Sequence, residues 1–282
     1  MTPVGASLLT TLVIDFAVQA LAFAISAPLK TERFYDLAGA VGFTSCTLAA
    51  LLWRRADGDH LDTLAARQIL VAVLVIVWAA RLGTFLALRV SKVEDKRFDQ
   101  YKHDPKKFIV VWFMQAIWVF LTAFPVFIIL GNPSSTQPSF GGASDIVGVV
   151  IWAYGFTVEV TADFQKLKFK NAHPRDFVST GIWRWSRYAN YNGEVSLWVG
   201  MFVLCARGFV EHWQWVGIVS PVFVTALIVF VSGVRLAEKS AQERYGSRAD
   251  YQSYKARTST FFLWPQKREG AISIGNSSNE EI

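Results

Sequence analysis

Cysteine and histidine are scarce in this chain of 282 residues, with two of the first and four of the second. Cys46 and Cys205 each fall inside an apolar run, which excludes a disulfide framework and reads as two small buried hydrophobes. His60, His103, His173 and His212 are scattered without metal-ligand spacing, so no metal site is expected. No CxxC, HExxH, P-loop or GxGxxG occurs, and soluble dinucleotide folds and zinc enzymes are not indicated. Nothing points to nucleic acid. The first five residues carry no basic side chain, and the apolar run Val4–Pro28 exceeds a signal-peptide core. It is read as a membrane span.

Charged residues are only 18% of the chain, and the 52% that are hydrophobic come in long runs. Runs of about 18 or more apolar residues read as transmembrane helices, because lipid leaves the backbone no other hydrogen-bond partner. The expected fold is all-α, a polytopic membrane helical bundle of about seven spans near 4–28, 34–53, 68–88, 109–131, 143–161, 195–210 and 213–234. Residues 1–265 are read as one membrane domain, with the motif-bearing core at 143–265 and a polar, disordered tail at 266–282. No internal repeat is evident. Trp53, Trp112, Trp213 and Trp215 lie near predicted span ends and read as an aromatic belt.

The loops test the span count. Numbered alternately, one side receives two, seven, six and eight basic residues, twenty-three in all. The other receives Arg54, Arg55, Arg67 and Arg207, and only Arg81 remains, inside the third span. This asymmetry implies seven crossings and a cytosolic C-terminus. The membrane would be the endoplasmic reticulum in a eukaryote and the plasma membrane in a bacterium.

Polar groups inside spans are costly and tend to be functional. Asp15 sits mid-span with Gln19 one turn later on the same face. Three readings stay open: an Asp15–Arg81 pair, a site lining a polar cavity, and an isolated neutral carboxyl. The densest polar stretch runs from Glu159 to Glu194. Glu159, Asp163, Lys166 and Lys170 share one helical face. Arg184, Arg187, Tyr188, Asn190, Tyr191 and Glu194 then precede an apolar run. A loop binding anionic lipid headgroups explains the lysines but not the interleaved Asn, Tyr and Glu. Guanidinium groups suit phosphates, and aromatic rings stack on a flat base.

Residues 159–170 read E-x3-D-x-Q-K-x3-K, and residues 181–194 read G-x-W-x-x-S-R-x-x-N-Y-x-G-E. A terminal element carries Tyr245-Gly246, Tyr251, Tyr254, Thr258 and Pro265. A weaker upstream element falls on Arg81, Gly83, Arg89, Asp95 and Arg97. Together these resemble the DUF1295 branch of the steroid 5-alpha-reductase superfamily over most of residues 33–265. The resemblance implies a helical membrane reductase that holds NADPH on its cytosolic side and reduces a carbon–carbon double bond in a lipid. It implies that Asp163, Lys170, Asn190 and Glu194 contact the nucleotide, that Arg81 helps bind it, and that Tyr191 lines the pocket. Arg187, in the S-R element, is expected to add charge toward phosphate. Glu159 stands where steroid reductases carry asparagine.

Two positions depart from the pattern. Tyr188-Ala189 replaces the His-Pro of many relatives. Trp78 replaces the proton-donating tyrosine of the steroid enzymes, three residues before Arg81, and an indole N–H is no useful acid. The catalytic acid is therefore unassigned, with Asp15, Tyr35 and Asp36 qualifying by polarity alone. The expected activity is NADPH-dependent reduction of a lipid-like or other apolar molecule. The alternatives are an S-adenosylmethionine-dependent membrane methyltransferase and a non-catalytic lipid-binding relative. The basic face from Lys166 to Lys170 argues against the methyltransferase, whose cofactor has no phosphate.

Overall fold

A computed structural model describes residues 2–53, 64–90 and 98–267, without the side chains of Trp53, Arg89 and Val90. Expectations placed on Trp53, Arg54, Arg55, His60, Arg89, Asp95, Arg97 and the tail beyond Lys267 fall outside the described residues. The described regular structure is helical: α1 (Pro3–Leu29), α2 (Tyr35–Trp53), α3 (Ala66–Val90), α4 (Pro105–Thr122), α5 (Phe124–Gly131), α6 (Ala143–Ala172), α7 (Ala189–Ala206), α8 (Val219–Ala226), α9 (Val234–Tyr245) and α10 (Ala249–Arg257). The chain is a helical membrane bundle. Six helical stretches among the described residues, rather than the seven expected, are long and apolar enough to cross a bilayer. They are Pro3–Leu29, Tyr35–Leu52, Ala66–Leu88, Pro105–Thr122, Ala143–Ala172 and His212–Tyr245.

The difference lies at the expected sixth span. The helix there is Ala189–Ala206, which starts before the apolar run and draws Asn190, Asn192 and Glu194 into its first turns. The expected fourth span, 109–131, is broken at Ala123. Pro125 lacks an N–H, and its ring crowds the carbonyl one turn back. The carbonyl of Thr122, freed by the break, accepts from the Ser220 hydroxyl. Helix α6 runs to Ala172 instead of stopping near Glu159. Its 30 residues make about 45 Å, beyond a hydrocarbon core of about 30 Å, so its basic C-terminal turns emerge from the apolar layer.

The chain divides into two compact units, Met1–Val149 with Met201–Phe223, and Val150–Gly200 with Val224–Ile282. In the first, α1 packs on α2, α4 and α5, and α2 packs on α3. Helix α1 is inverted relative to a water-soluble helix. Ser7, Thr11, Asp15, Gln19 and Ser26 are buried, while Leu9, Val13, Leu21, Ile25 and Leu29 face outward. Lipid tails give apolar side chains no reason to hide, so polar contacts and close packing join the helices. Gly83 brings α3 onto α2: a Cβ there would stand 2.4 Å from that of Ala40. Phe43 meets Trp78 and Trp118 edge-on, each with centroids 4.9 Å apart. Trp112 is not a belt residue as expected. It is 1% exposed and packs with Phe108 and Ala38, because its position on α4 faces the core. Trp213 and Trp215 are exposed.

Two polar clusters tie this unit's loops together. Asp145 takes two hydrogen bonds from Arg67, at 2.8 and 3.0 Å, and pairs with Arg207 at 3.6 Å. Nearby, Asn132 exchanges hydrogen bonds with Gln214 at 3.0 and 2.7 Å, and Gln68 donates to the Asn132 carbonyl at 2.9 Å. Separately, Lys102 pairs with Asp99 at 2.8 Å and with Glu32 at 3.3 Å. The hydrogen bond it donates to Asp99, then the one it donates to Glu32, push the Lys102 ammonium above its ordinary range against the opposing effect of burial.

Candidate functional site

The second unit contains the Glu159–Glu194 stretch. Its geometry starts from two glycines. A Cβ on Gly155 would lie 2.4 Å from the Leu197 nitrogen, and one on Gly193 would lie 2.6 Å from the Glu159 nitrogen. Helices α6 and α7 therefore touch backbone to backbone, antiparallel, with residue 155 against 197 and 159 against 193. One turn further along, Ala162 and Ala189 belong to one buried cluster with Val178 and Trp183. Buried Glu159 and Asp163 thus flank this seam on α6, and Asn190 and Glu194 follow it on α7. The Asn190 Oδ1 is buried and has no hydrogen-bond partner among the described residues. Tyr191 stacks on Tyr188 with centroids 5.8 Å apart and planes 13° from parallel.

The residues before α7 are braces. Gly181 adopts φ +61°, and a Cβ there would strike the Gln165 side chain, which accepts from the Ile182 N–H at 2.9 Å. Trp183 donates to the Ala162 carbonyl at 3.0 Å. Ser186 donates to the Phe261 carbonyl at 2.9 Å, and the Arg187 N–H donates to the Ser259 carbonyl at 2.9 Å. Both pin the segment 258–267 beside α7. The Arg187 guanidinium pairs with Glu238 at 3.2 Å and donates to the Lys255 carbonyl at 3.2 Å and to Thr260 Oγ1 at 2.7 Å.

Lys170 joins three elements. Its ammonium donates to the Asp176 carbonyl and, at 2.9 Å, to the Tyr245 hydroxyl. An ammonium has three donors, so one is left uncommitted among the described residues. Lys166 lies over the Trp183 ring at 5.2 Å. The terminal tyrosines have a structural explanation. Tyr245, Tyr251 and Tyr254 surround Phe177 with centroids 5.6, 5.1 and 5.4 Å away, and Tyr254 donates to the Trp183 carbonyl at 2.7 Å. Burial holds the Tyr254 and Tyr251 phenols above their ordinary range, and burial together with Glu238 does so at Tyr188. Arg248 closes the far edge on Asp176 and Asp250, each at 2.7 Å, and depresses the Asp250 carboxyl.

Of the residues singled out from sequence, Asp163, Lys170, Arg187, Asn190, Tyr191 and Glu194 all belong to this unit. Arg81 belongs to the other, half-buried on α3 with its guanidinium 5.5 Å above the Phe85 ring. The Asp15–Arg81 pair does not form. Asp15 Oδ1 accepts from Gln19 at 3.3 Å, and Gln115 donates to Gln19 at 3.3 Å. Glu238 and Asp176 were missed by sequence reasoning. Each is an ordinary acid on a polar stretch, with no spacing to mark it.

A family model describing a protein of unknown function (DUF1295) matches residues 22–258. An uncharacterized protein of Schizosaccharomyces pombe, C594.04c, is 26% identical over 238 residues, or 71% of this chain and 64% of that protein. The match thus spans less than two thirds of that relative's length. No solved structure matches. With the family model covering most of the sequence, the chain belongs to the DUF1295 family.

Proposed function

We propose that this protein is an NADPH-dependent membrane reductase of a carbon–carbon double bond in a lipid-like or other apolar substrate. The observation that carries the reading is the Gly155–Gly193 crossing, which lines buried Glu159 and Asp163 up with Asn190 and Glu194 along one seam. The buried, unpartnered Asn190 Oδ1 is an acceptor withdrawn from water. A ribose hydroxyl or a carboxamide supplies the donor it lacks. Lys166, Lys168 and the remaining donor of Lys170 supply cations of the kind phosphates take. The residues present therefore fit a dinucleotide. The motif's resemblance to the steroid 5-alpha-reductase superfamily supports the same assignment.

When bound, the cofactor would supply hydride to an electron-poor alkene carbon. The part of Asp163, Asn190 and Glu194 is to accept from ribose and amide groups and fix their orientation, and that of Tyr191 is to wall the pocket. Trp78 is fully buried against Phe43, so the proton donor is not at that position, and the catalytic residue is left unassigned. The same feature favours a second reading, a non-catalytic lipid-binding relative. The excess of basic residues in alternate loops supports a cytosolic C-terminus.

The test is titration of the full chain in neutral detergent with NADPH. Wild type is expected to bind saturably, and Asn190→Ala to bind about three- to tenfold more weakly, as for one neutral hydrogen bond. Absence of saturable binding by wild type would sink the proposal. Binding without nucleotide oxidation across a lipid extract would select the non-catalytic reading.

A further inference from the structure

The segment 258–267 returns beside the start of α7 and is held there by hydrogen bonds. The Arg187 N–H donates to the Ser259 carbonyl at 2.9 Å, Ser186 to the Phe261 carbonyl at 2.9 Å, and the Trp264 N–H to the Trp185 carbonyl at 3.3 Å. The Lys267 N–H donates to the Arg257 carbonyl at 3.1 Å, and Gln266 donates to Thr258 Oγ1 at 3.0 Å, so the segment closes into a loop. Its side chains alternate. Leu263 packs inward on the cluster of Ala162 and Trp183, while Phe262 and Trp264 stand 69% and 70% exposed. Trp185, on the adjoining stretch, is exposed as well. A single exposed ring is ordinary, but large rings gathered on two joined stretches mark a surface that something covers.

Helix α6 gives the depth of that surface. Trp183 donates to the Ala162 carbonyl at 3.0 Å, and the Ile182 N–H donates to the Gln165 side chain at 2.9 Å. Leu263 packs on the same cluster, so Trp185 and the loop lie level with residues 162–165 of α6. At that level α6 changes character. Phe164 and Leu167 are its last large exposed apolar side chains, and Lys166, Lys168 and Lys170 begin its polar turns. Since α6 is among the stretches apolar enough to cross a bilayer, this change marks where it leaves the hydrocarbon. One helical turn is about 5.4 Å, so the loop lies within roughly a turn of that boundary. This is the headgroup and glycerol layer, where tryptophan is enriched because its ring is apolar and its N–H is polar.

We propose that Trp185, Phe262 and Trp264 form an interfacial anchor that seats the loop 258–267 in the headgroup and glycerol layer of the bilayer. This rests on neither the reductase reading nor any charge. The test uses the full chain in nanodiscs of phosphatidylcholine, spin-labelled at Phe262→Cys, Trp264→Cys or Ser253→Cys. Cys46 and Cys205 are fully buried and stay unlabelled. Labels at 262 and 264 should collide with oxygen, which enters lipid, and be shielded from water-soluble nickel chelate. The label at 253, exposed on polar α10, should show the reverse. Burying one aromatic ring is worth roughly tenfold or more in an equilibrium. Phe262→Ser with Trp264→Ser should therefore speed proteolytic nicking within the loop about tenfold in nanodiscs at an unchanged unfolding temperature. Phe262→Trp with Trp264→Phe, which keeps both rings, should nick like wild type. Labels at 262 and 264 as open to nickel chelate as the one at 253 would overturn the proposal. So would shielding from both reagents, which would assign the rings to a protein contact, with dipolar coupling between labels marking a second copy of the chain. Wild-type nicking in the serine pair would overturn it too.

Discussion

Gly193→Ala is the sharpest single test of the site geometry. A Cβ at Gly193 would stand 2.6 Å from the Glu159 nitrogen, 2.7 Å from the Gly155 oxygen and 2.9 Å from the Glu159 Cα. All three are backbone atoms, so no side chain can rotate away. Ordinary contact begins near 3.4 Å, which forces α6 and α7 apart by about 0.8 Å. Overpacking of this kind costs about 1–3 kcal/mol, and each kcal/mol lowers the unfolding midpoint of a chain of this size by roughly 2–4 °C. The same shift moves Asn190 and Glu194 relative to Glu159 and Asp163. Misplacement on the order of 1 Å can cost about a hundredfold in rate where geometry matters. Thermal unfolding in detergent, followed by tryptophan fluorescence and paired with NADPH titration, reads both effects. Gly142→Ala is the control: the three atoms nearest its Cβ would all belong to the Arg207 guanidinium, the end of a flexible side chain. A wild-type midpoint for Gly193→Ala, or an equal loss in the control, would refute the claim that the seam depends on backbone contact.

In the first unit, Asp145→Ala leaves Arg67 buried without its partner and should cost about 3–5 kcal/mol. Replacing both residues by apolar ones of similar size should recover part of it, as measured by denaturant unfolding. Asp15→Asn keeps an acceptor for Gln19 and should be nearly neutral, whereas Asp15→Leu should lower the unfolding temperature by the equivalent of about 0.6–2 kcal/mol. The buried tyrosines predict alkaline sensitivity. Burial raises the Tyr188 and Tyr254 phenols in the folded state, so that state holds its protons more tightly than the unfolded chain. Stability is then full below about pH 10 and falls as pH rises beyond it, and Tyr188→Phe should blunt the fall in a pH series of unfolding midpoints.

The helical membrane architecture was legible because it rests on run length, which needs no partner to interpret. Span ends were not. The start of α7 at Ala189 depends on α6 lying against it, and residues 189–194 look like loop by polarity alone. The break at Ala123 was signalled by Pro125, but a long apolar run masked it. Asp15 and Gln19 were legible as a pair through their four-residue spacing, while Gln115, the third member, lies 96 residues from Gln19 and carried no signal. The motif around Asn190 was legible as a cluster, but its internal division was not. Ser186, Arg187 and Gly193 share the motif with Asn190, and Arg187 was expected to add charge toward phosphate, whereas the contacts of all three are to the segment 258–267 and to α6. The contacts of Ser186 and Arg187 follow only from the chain's return, 75 and 73 residues later.

That division makes Arg187 decisive. As a phosphate ligand it would act through charge, and lysine would do nearly as well. As a brace it acts through shape. Its guanidinium addresses Glu238, the Lys255 carbonyl and Thr260 Oγ1 together, which a planar fork can do and a single ammonium cannot. The Arg187 side chain is only 10% exposed, so a lysine there would also have to hold a strongly hydrated ion out of water. Arg187→Lys should therefore behave like Arg187→Ala. Both should loosen the segment 258–267, seen as faster proteolytic nicking within it, and both should lose NADPH affinity by a factor insensitive to added salt. A ligand role predicts the reverse, with Arg187→Lys close to wild type and Arg187→Ala weakened in a way that salt reduces. Comparing the two variants at low and high salt separates shape from charge. Near-wild-type binding and nicking in Arg187→Lys would show that the contacts to Thr260 and Lys255 are incidental, and would return Arg187 to the cofactor.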